Sequence, residues 1–122
     1  MTQTTLRAAP KTEAVEYARR AATRAMRTWA LLEREEQVTA IVAELVANAV
    51  RHAGTTLELR LSHQDGRVRI EVRDRAARLP RLIVPGPMDE AHRGLLIVDE
   101  YAENWGAEPV PGGKVVWAEV TV

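Results

Sequence analysis

The sequence predicts an α+β fold, a two-layer α/β sandwich with helices packed on one face of a mixed, mainly antiparallel sheet. Three observations predict it. Two stretches with apolar residues at helical spacing lie together in the first half of the chain. Two alternating stretches follow, Leu57-Glu58-Leu59-Arg60-Leu61 and Arg67 to Arg73, joined by His63-Gln64-Asp65-Gly66, and Asp-Gly is a strong hairpin signal. A last alternating stretch, Lys114 to Val122, places Val116, Ala118 and Val120 on one face and Trp117 on the other.

The elements follow in order. Residues 3–9 read as a short first strand or N-terminal arm, ended by Pro10, with residues 10–122 forming the single domain proper. Thr12 is the expected N-cap of a helix from Glu13 to about Leu32. Val15, Ala18, Ala22, Met26 and Trp29 form its apolar side, and Arg19, Arg20, Arg24 and Arg27 take the other, read as a solvated face. Glu33-Arg34-Glu35-Glu36 is a connector or the first turn of a second helix. That helix runs through Val38, Ile41, Val42, Leu45, Val46 and Ala49 to Ala53, with Gly54 as a left-handed cap. Residues 75–91, with Pro80, Pro85, Gly86 and Pro87, show no sustained period and are expected to form a functional loop. A short buried helix is expected from Gly94 to Ala102. Trp105 opens a further strand, and Pro109-Val110-Pro111-Gly112-Gly113 is a turn.

Composition bounds the function classes. The chain has 122 residues, one domain by length, with 46% apolar and 28% charged residues and formal charge zero. Zero charge opposes broad capture of nucleic acid, and five aromatic residues without Phe oppose base stacking on a sheet face. A DNA-binding role for the arginine-rich helix near residues 19–27 is therefore disfavoured, and no direct nucleic-acid contact is expected. No apolar run reaches membrane-span length, and Met1 to Arg7 lack a secretory pattern, so the cytoplasm is the expected compartment and no membrane association is expected. The absence of Cys excludes disulfides and thiolate metal sites.

The second helix carries the candidate chemistry. Glu44, Asn48, Arg51 and His52 share one side of it, with the small Ala40 and Ala47 beside them, leaving room for a ligand above Glu44 and Asn48. From this stretch alone, an ordinary solvated stripe explains the pattern equally well.

Four separated pieces then stand in one order: Glu44-x-x-x-Asn48 in a helix ending Arg51-His52-Ala53, Asp74 at a strand end, Arg93-Gly94-Leu95 at a helix start, and Gly112-Gly113-Lys114 before the last strand. With these the chain resembles the GHKL ATPase superfamily, the gyrase, histidine kinase and MutL-type ATP-binding domains of the Bergerat fold. Within it, the chain looks most like the small anti-sigma-factor serine/threonine kinases and related ATP-binding regulators of actinobacteria. The resemblance implies ATP and Mg2+ as cofactors. It implies Glu44 as the general base toward the attacking hydroxyl, Asn48 as the magnesium ligand, and Asp74 as acceptor of the adenine amino group. It further implies Arg51 and His52 as donors toward phosphate, and Gly94, flanked by Arg93 and Leu95, at a helix N-terminus that receives phosphate. Ala76 stands where the family often has glycine, and Gly113 and Lys114 belong to a turn beside the adenine pocket. A plain hairpin turn before an edge strand is the alternative for that last piece, a surface salt bridge that for Arg51, and an ordinary turn residue that for Asp74.

The sequence also departs from the family pattern. Asp74-Arg75-Ala76-Ala77-Arg78 lacks the glycines that usually follow the aspartate, and His92-Arg93-Gly94 keeps one glycine of a richer group. Two functional expectations follow. One is a kinase that transfers the ATP γ-phosphate to a serine of an anti-anti-sigma (STAS-type) partner, with a homodimer as the assembly often met in the family. The other is a non-catalytic module with a degenerate nucleotide site that sequesters a sigma factor or another regulator.

Overall fold

The structure is a computed structural model. It describes residues 2–76 and 96–122 in full and the backbone of residues 90–95. The expected loop centred on Leu79 to Met88 lies outside the described residues.

Strand β1 (Thr2–Ala8) is followed by helix α1 (Glu13–Thr28), a short 3-10 turn (Leu32–Arg34) and helix α2 (Glu35–His52). The hairpin β2 (Leu57–Gln64) and β3 (Arg67–Asp74), helix α3 (Glu90–Tyr101) and the hairpin β4 (Asn104–Val110) and β5 (Gly113–Thr121) complete the chain. The five strands form one sheet in the order β1-β2-β3-β5-β4, and every neighbouring pair is antiparallel. The mixed sheet expected from the sequence is thus antiparallel throughout the described residues. The reason is that α3 returns the chain to β4 on the sheet's far edge, and β4 then folds back as a hairpin, so β5 enters beside β3 in the opposite sense.

The core lies between α2 and the sheet. Val38, Ile41, Val42, Leu45 and Val46 of α2 are fully buried against Leu57, Leu59 and Leu61 of β2, Val68, Ile70 and Val72 of β3, and Ala118 of β5. Each fully buried Val, Leu or Ile contributes roughly 1.5–3 kcal/mol of hydrophobic stabilisation. Helix α1 packs beside α2 through Ala14, Ala18, Ala22, Ala25 and Met26, an alanine stripe that permits close approach of the two backbones. Ala14 and Ala25 thus replace Val15 and Trp29 at the centre of the face expected from the sequence, and these two are only partly buried. Arg19, Arg20, Arg24 and Arg27 are exposed as expected, with Arg20 bonded to Glu16 and Arg27 to Glu35. Such exposed pairs contribute little.

Local boundaries differ from the sequence reading for identifiable reasons. Thr12 precedes α1 but makes no side-chain cap, because it already has helical dihedrals. The N–H groups of Ala14 and Val15 bond instead to the carbonyls of Lys11 and Thr12. Helix α1 stops at Thr28, short of Leu32. Leu31 N–H bonds to Met26 C=O and Ala30 N–H to Arg27 C=O, and Ala30 has φ 58°. This is a Schellman closure with alanine at the position that favours glycine. The left-handed conformation costs alanine about 1–2 kcal/mol. Ala30→Gly is therefore expected to raise unfolding stability by about 0.5–1 kcal/mol after allowing for glycine's freer unfolded chain, measurable by urea denaturation.

Turn chemistry holds where the sequence marks it. Asp65 and Gly66 both have positive φ, the geometry of a primed two-residue hairpin turn. Gly54 takes φ 64° just past α2, as expected of its cap. The second hairpin turn is only Pro111-Gly112, with Gly112 at φ 81°. Pro109 and Val110 instead lie in β4, where an edge strand tolerates proline.

Candidate functional site

The topology brings one end of the sandwich together. Strand β2 begins opposite the end of β3, with Glu58 paired to Arg73, and β5 begins opposite Asp74, paired to Lys114. The C-terminal turns of α2 lead through a short connection into that same end. Thr55, in this connection, accepts a hydrogen bond from Arg75 N–H at 3.0 Å, tying the exit of α2 to the exit of β3.

From Gln37 to Val50 no residue of α2 is exposed. Glu44 and Asn48 are therefore half-buried, which excludes the freely solvated stripe left open by the sequence. They stand one helical turn apart, about 6 Å along the axis. Arg51 and His52, further along, are exposed. Asn48 Oδ1 accepts a hydrogen bond from the Arg51 guanidinium at 2.9 Å. The polar side of α2 thus divides into a sheltered pair and an exposed pair.

Asp74 is the buried polar group at the end of β3, 3% exposed, and Lys114 beside it is 4% exposed. Inward-facing positions of β3 are Val68, Ile70 and Val72, so Asp74 continues the core face and not the outer one. Its Oδ1 accepts from Lys114 Nζ at 3.0 Å and from Ala76 N–H at 2.9 Å. Ala76 thus serves as a backbone donor to the aspartate. Neither Arg75 nor Ala76 has a positive φ, so the glycine missing from this part of the family pattern is not required by the backbone here.

Gly113 has a structural reason to be glycine. A Cβ there would lie 1.9 Å from the Asp74 carbonyl oxygen and 2.8 Å from Arg75 Cα. Its strand β5 runs between β3 and β4, so the turn before it leads into an interior strand and not the edge strand considered from the sequence.

Arg93 and Gly94 lie inside α3, which begins at Glu90. The sequence placed the helix start at Gly94. The residues Glu90-Ala91-His92-Arg93 all tolerate helical dihedrals, so the helix takes them up and Gly94 falls in its second turn. The side chains of Arg93 and Leu95 lie outside the described residues. The second half of α3 is amphipathic, not buried as expected. Val98 is enclosed while Leu96 and Tyr101 are exposed. Trp105 Nε1 donates to Asp99 Oδ1 at 2.9 Å, which pins α3 to β4.

The network that sequence reasoning missed is the Asp74–Lys114 pair. The signal was present in the pattern: Lys114 occupies an inward position of a strand whose other inward residues are Val116, Ala118 and Val120. A lysine in that register must find an anion or leave the core.

Helices on one face of an antiparallel sheet, with a buried carboxylate at a strand end beside the helix, define a GHKL-type α/β sandwich. The histidine kinase-like ATPase domain family model matches residues 8–120, nearly the full length. The chain belongs to that family, within the GHKL superfamily. Among solved structures it is similar to the histidine kinase domain of the Erythrobacter litoralis EL346 blue-light activated histidine kinase. The TM-score is 0.56 at 21% sequence identity, over 73% of this chain and 45% of that one. This likeness is one of fold, and the chain spans less than half of that domain. No functionally curated protein matches the sequence. Domains of this family bind ATP, usually with Mg2+. Among the described residues no helix is long and apolar enough to cross a membrane.

Proposed function

We propose that this chain is an ATP-binding cytoplasmic regulator that transfers the γ-phosphate of ATP to a serine of an anti-anti-sigma (STAS-type) partner, and so controls sigma-factor availability. The observation that supports it best is the sheltering of Glu44 and Asn48, one turn apart on α2, where a solvated face would leave them exposed. Asp74 fits a base with an amino donor, since no described residue donates to its Oδ2. Asn48 fits magnesium as a single protein oxygen. Among the described residues no three His, Cys, Asp or Glu side chains converge on a metal position. Magnesium is commonly held by one or two protein oxygens, with phosphates and water completing its shell.

In this reading Glu44 accepts the proton of the serine hydroxyl as its oxygen bonds to the γ-phosphorus. The bond from that phosphorus to the bridging oxygen breaks, and ADP leaves. Positioning and charge neutralisation carry most of such a reaction, so few residues suffice. Glu44→Gln is expected to slow transfer by about 10²–10⁴-fold while ATP affinity stays unchanged. Mixing protein, Mg-ATP and an anti-anti-sigma partner and quantifying phosphoserine checks this. Full transfer by Glu44→Gln, or none by the native chain, opposes the kinase reading.

One observation favours a second reading. Both carboxylate and amide acceptors carry internal partners, Lys114 on Asp74 and Arg51 on Asn48. A binding module that sequesters a sigma factor or other regulator without turnover needs neither acceptor freed. Calorimetric titration separates the two, because absence of ATP binding leaves only this module.

A further inference from the structure

We propose that Lys114 is a base-reading residue: its ammonium donates to the adenine ring nitrogen N1 while the adjoining Asp74 accepts from the exocyclic amino group. This deepens the proposed function and rests on ATP being the ligand. The argument is one of hydrogen-bonding capacity. A carboxylate has about four acceptor positions over its two oxygens, and an ammonium has three donors. Oδ1 of Asp74 is filled by Lys114 Nζ and Ala76 N–H. Among the described residues nothing donates to Oδ2, and Lys114 Nζ makes this one bond only. Both side chains are almost enclosed, 1% exposed for Asp74 and 5% for Lys114. A buried ammonium with one partner is under-satisfied, and each missing bond to a charged group has a cost.

The unspent groups are adjacent and opposite in kind: acceptor positions on Oδ2 and donors on Nζ. Adenine presents the complement on one edge, an amino donor next to the N1 acceptor. A lone carboxylate reads only the donor. The pair reads both, and Lys114 does so without leaving Asp74. The register fixes this arrangement, because Asp74 and Lys114 are direct cross-strand partners at the start of β5. Gly113, which abuts the Asp74 carbonyl, holds the two strand ends close.

The test is calorimetric titration of the native chain with ATP, 1-deaza-ATP and 7-deaza-ATP, each with Mg2+. Replacing N1 by C–H is expected to weaken binding about 10-fold or more, the loss of a hydrogen bond to a charged donor. Replacing N7 is expected to change affinity less than about threefold, within the scatter of uncoupled contacts. In Lys114→Met, checked for folding by circular dichroism, ATP and 1-deaza-ATP are expected to bind equally. ATP and 1-deaza-ATP binding alike to the native chain would overturn the inference and leave the ATP reading intact. A 1-deaza-ATP deficit that persists undiminished in Lys114→Met would assign N1 to another donor and also overturn it. Binding of none of the three nucleotides overturns both readings. The native-chain comparison stands by itself if Lys114→Met does not fold.

Discussion

Gly113→Ala is expected to lower unfolding stability by about 3 kcal/mol and to abolish nucleotide binding in the fraction that still folds. The new Cβ would meet three backbone atoms: the Asp74 carbonyl oxygen at 1.9 Å, Arg75 Cα at 2.8 Å and the Asp74 carbonyl carbon at 2.9 Å. A flexible side-chain tip could move aside from such a clash. Here the obstacle is a strand end held from three directions. Asp74 pairs across to Lys114, Arg75 N–H is bonded to Thr55 Oγ1, and Ala76 N–H returns to Asp74 Oδ1. Separating β3 from β5 at this point therefore breaks the bonds that orient Asp74. Differential scanning calorimetry should show a melting temperature lower by about 10 °C or more for a chain of this size. Gly112→Ala is a control. Unlike Gly113 it has positive φ, and a Cβ there meets nothing within 4 Å. It is expected to cost about 1–2 kcal/mol from the left-handed conformation alone and to leave nucleotide affinity unaltered. Equal effects of the two substitutions would show that the strand ends part at little cost and that the approach to Asp74 does not make Gly113 necessary.

These residues show why parts of the molecule were legible in the sequence and parts were not. Periodicity reports which face of an element is enclosed, and α2, β2, β3 and β5 follow it because each has one continuous apolar face. The Asp65-Gly66 and Gly54 positions were legible because only a few residues adopt positive φ cheaply. The end of α1 was not. Ala30 carries none of the usual stop chemistry, and the Schellman bonds at Met26 and Arg27 hold it in a conformation that its side chain disfavours. Gly94 misled in the opposite sense, since a glycine also fits inside a helix at a cost of about 1 kcal/mol, and α3 starts before it. At the site, the spacing of Glu44 and Asn48 gave their shared side but not their shelter. Shelter depends on what packs about α2, which contacts α1, α3 and three strands, and helical spacing does not report that. Gly113 read as a turn residue because its real constraint is a through-space approach to Asp74, thirty-nine positions earlier in the numbering.

Lys114→Met is expected to destabilise the fold by about 3–5 kcal/mol, the cost of leaving one member of a buried ion pair without its partner. The side chains are similar in length and Met is flexible, so packing loss is a minor part of that figure. The remaining part comes from Asp74, enclosed at the strand end with the Ala76 N–H as its one remaining donor among the described residues. The loss is then a property of the unpaired aspartate and not of the missing lysine. The double substitution Asp74→Leu with Lys114→Met should then recover most of the stability, because an apolar pair of comparable volume replaces two desolvated charges. It should also lose all nucleotide binding, since no acceptor remains at the end of β3. Urea denaturation of the native chain, both single variants and the double variant gives the coupling energy between the two positions directly. A double variant no more stable than Lys114→Met would mean that Lys114 contributes through its own packing against the core. A double variant that regains stability and still binds ATP would move base recognition away from Asp74. Recovery of stability with loss of binding would separate the two roles of the pair, with the charges retained for recognition at a position where an apolar pair would serve the fold equally well.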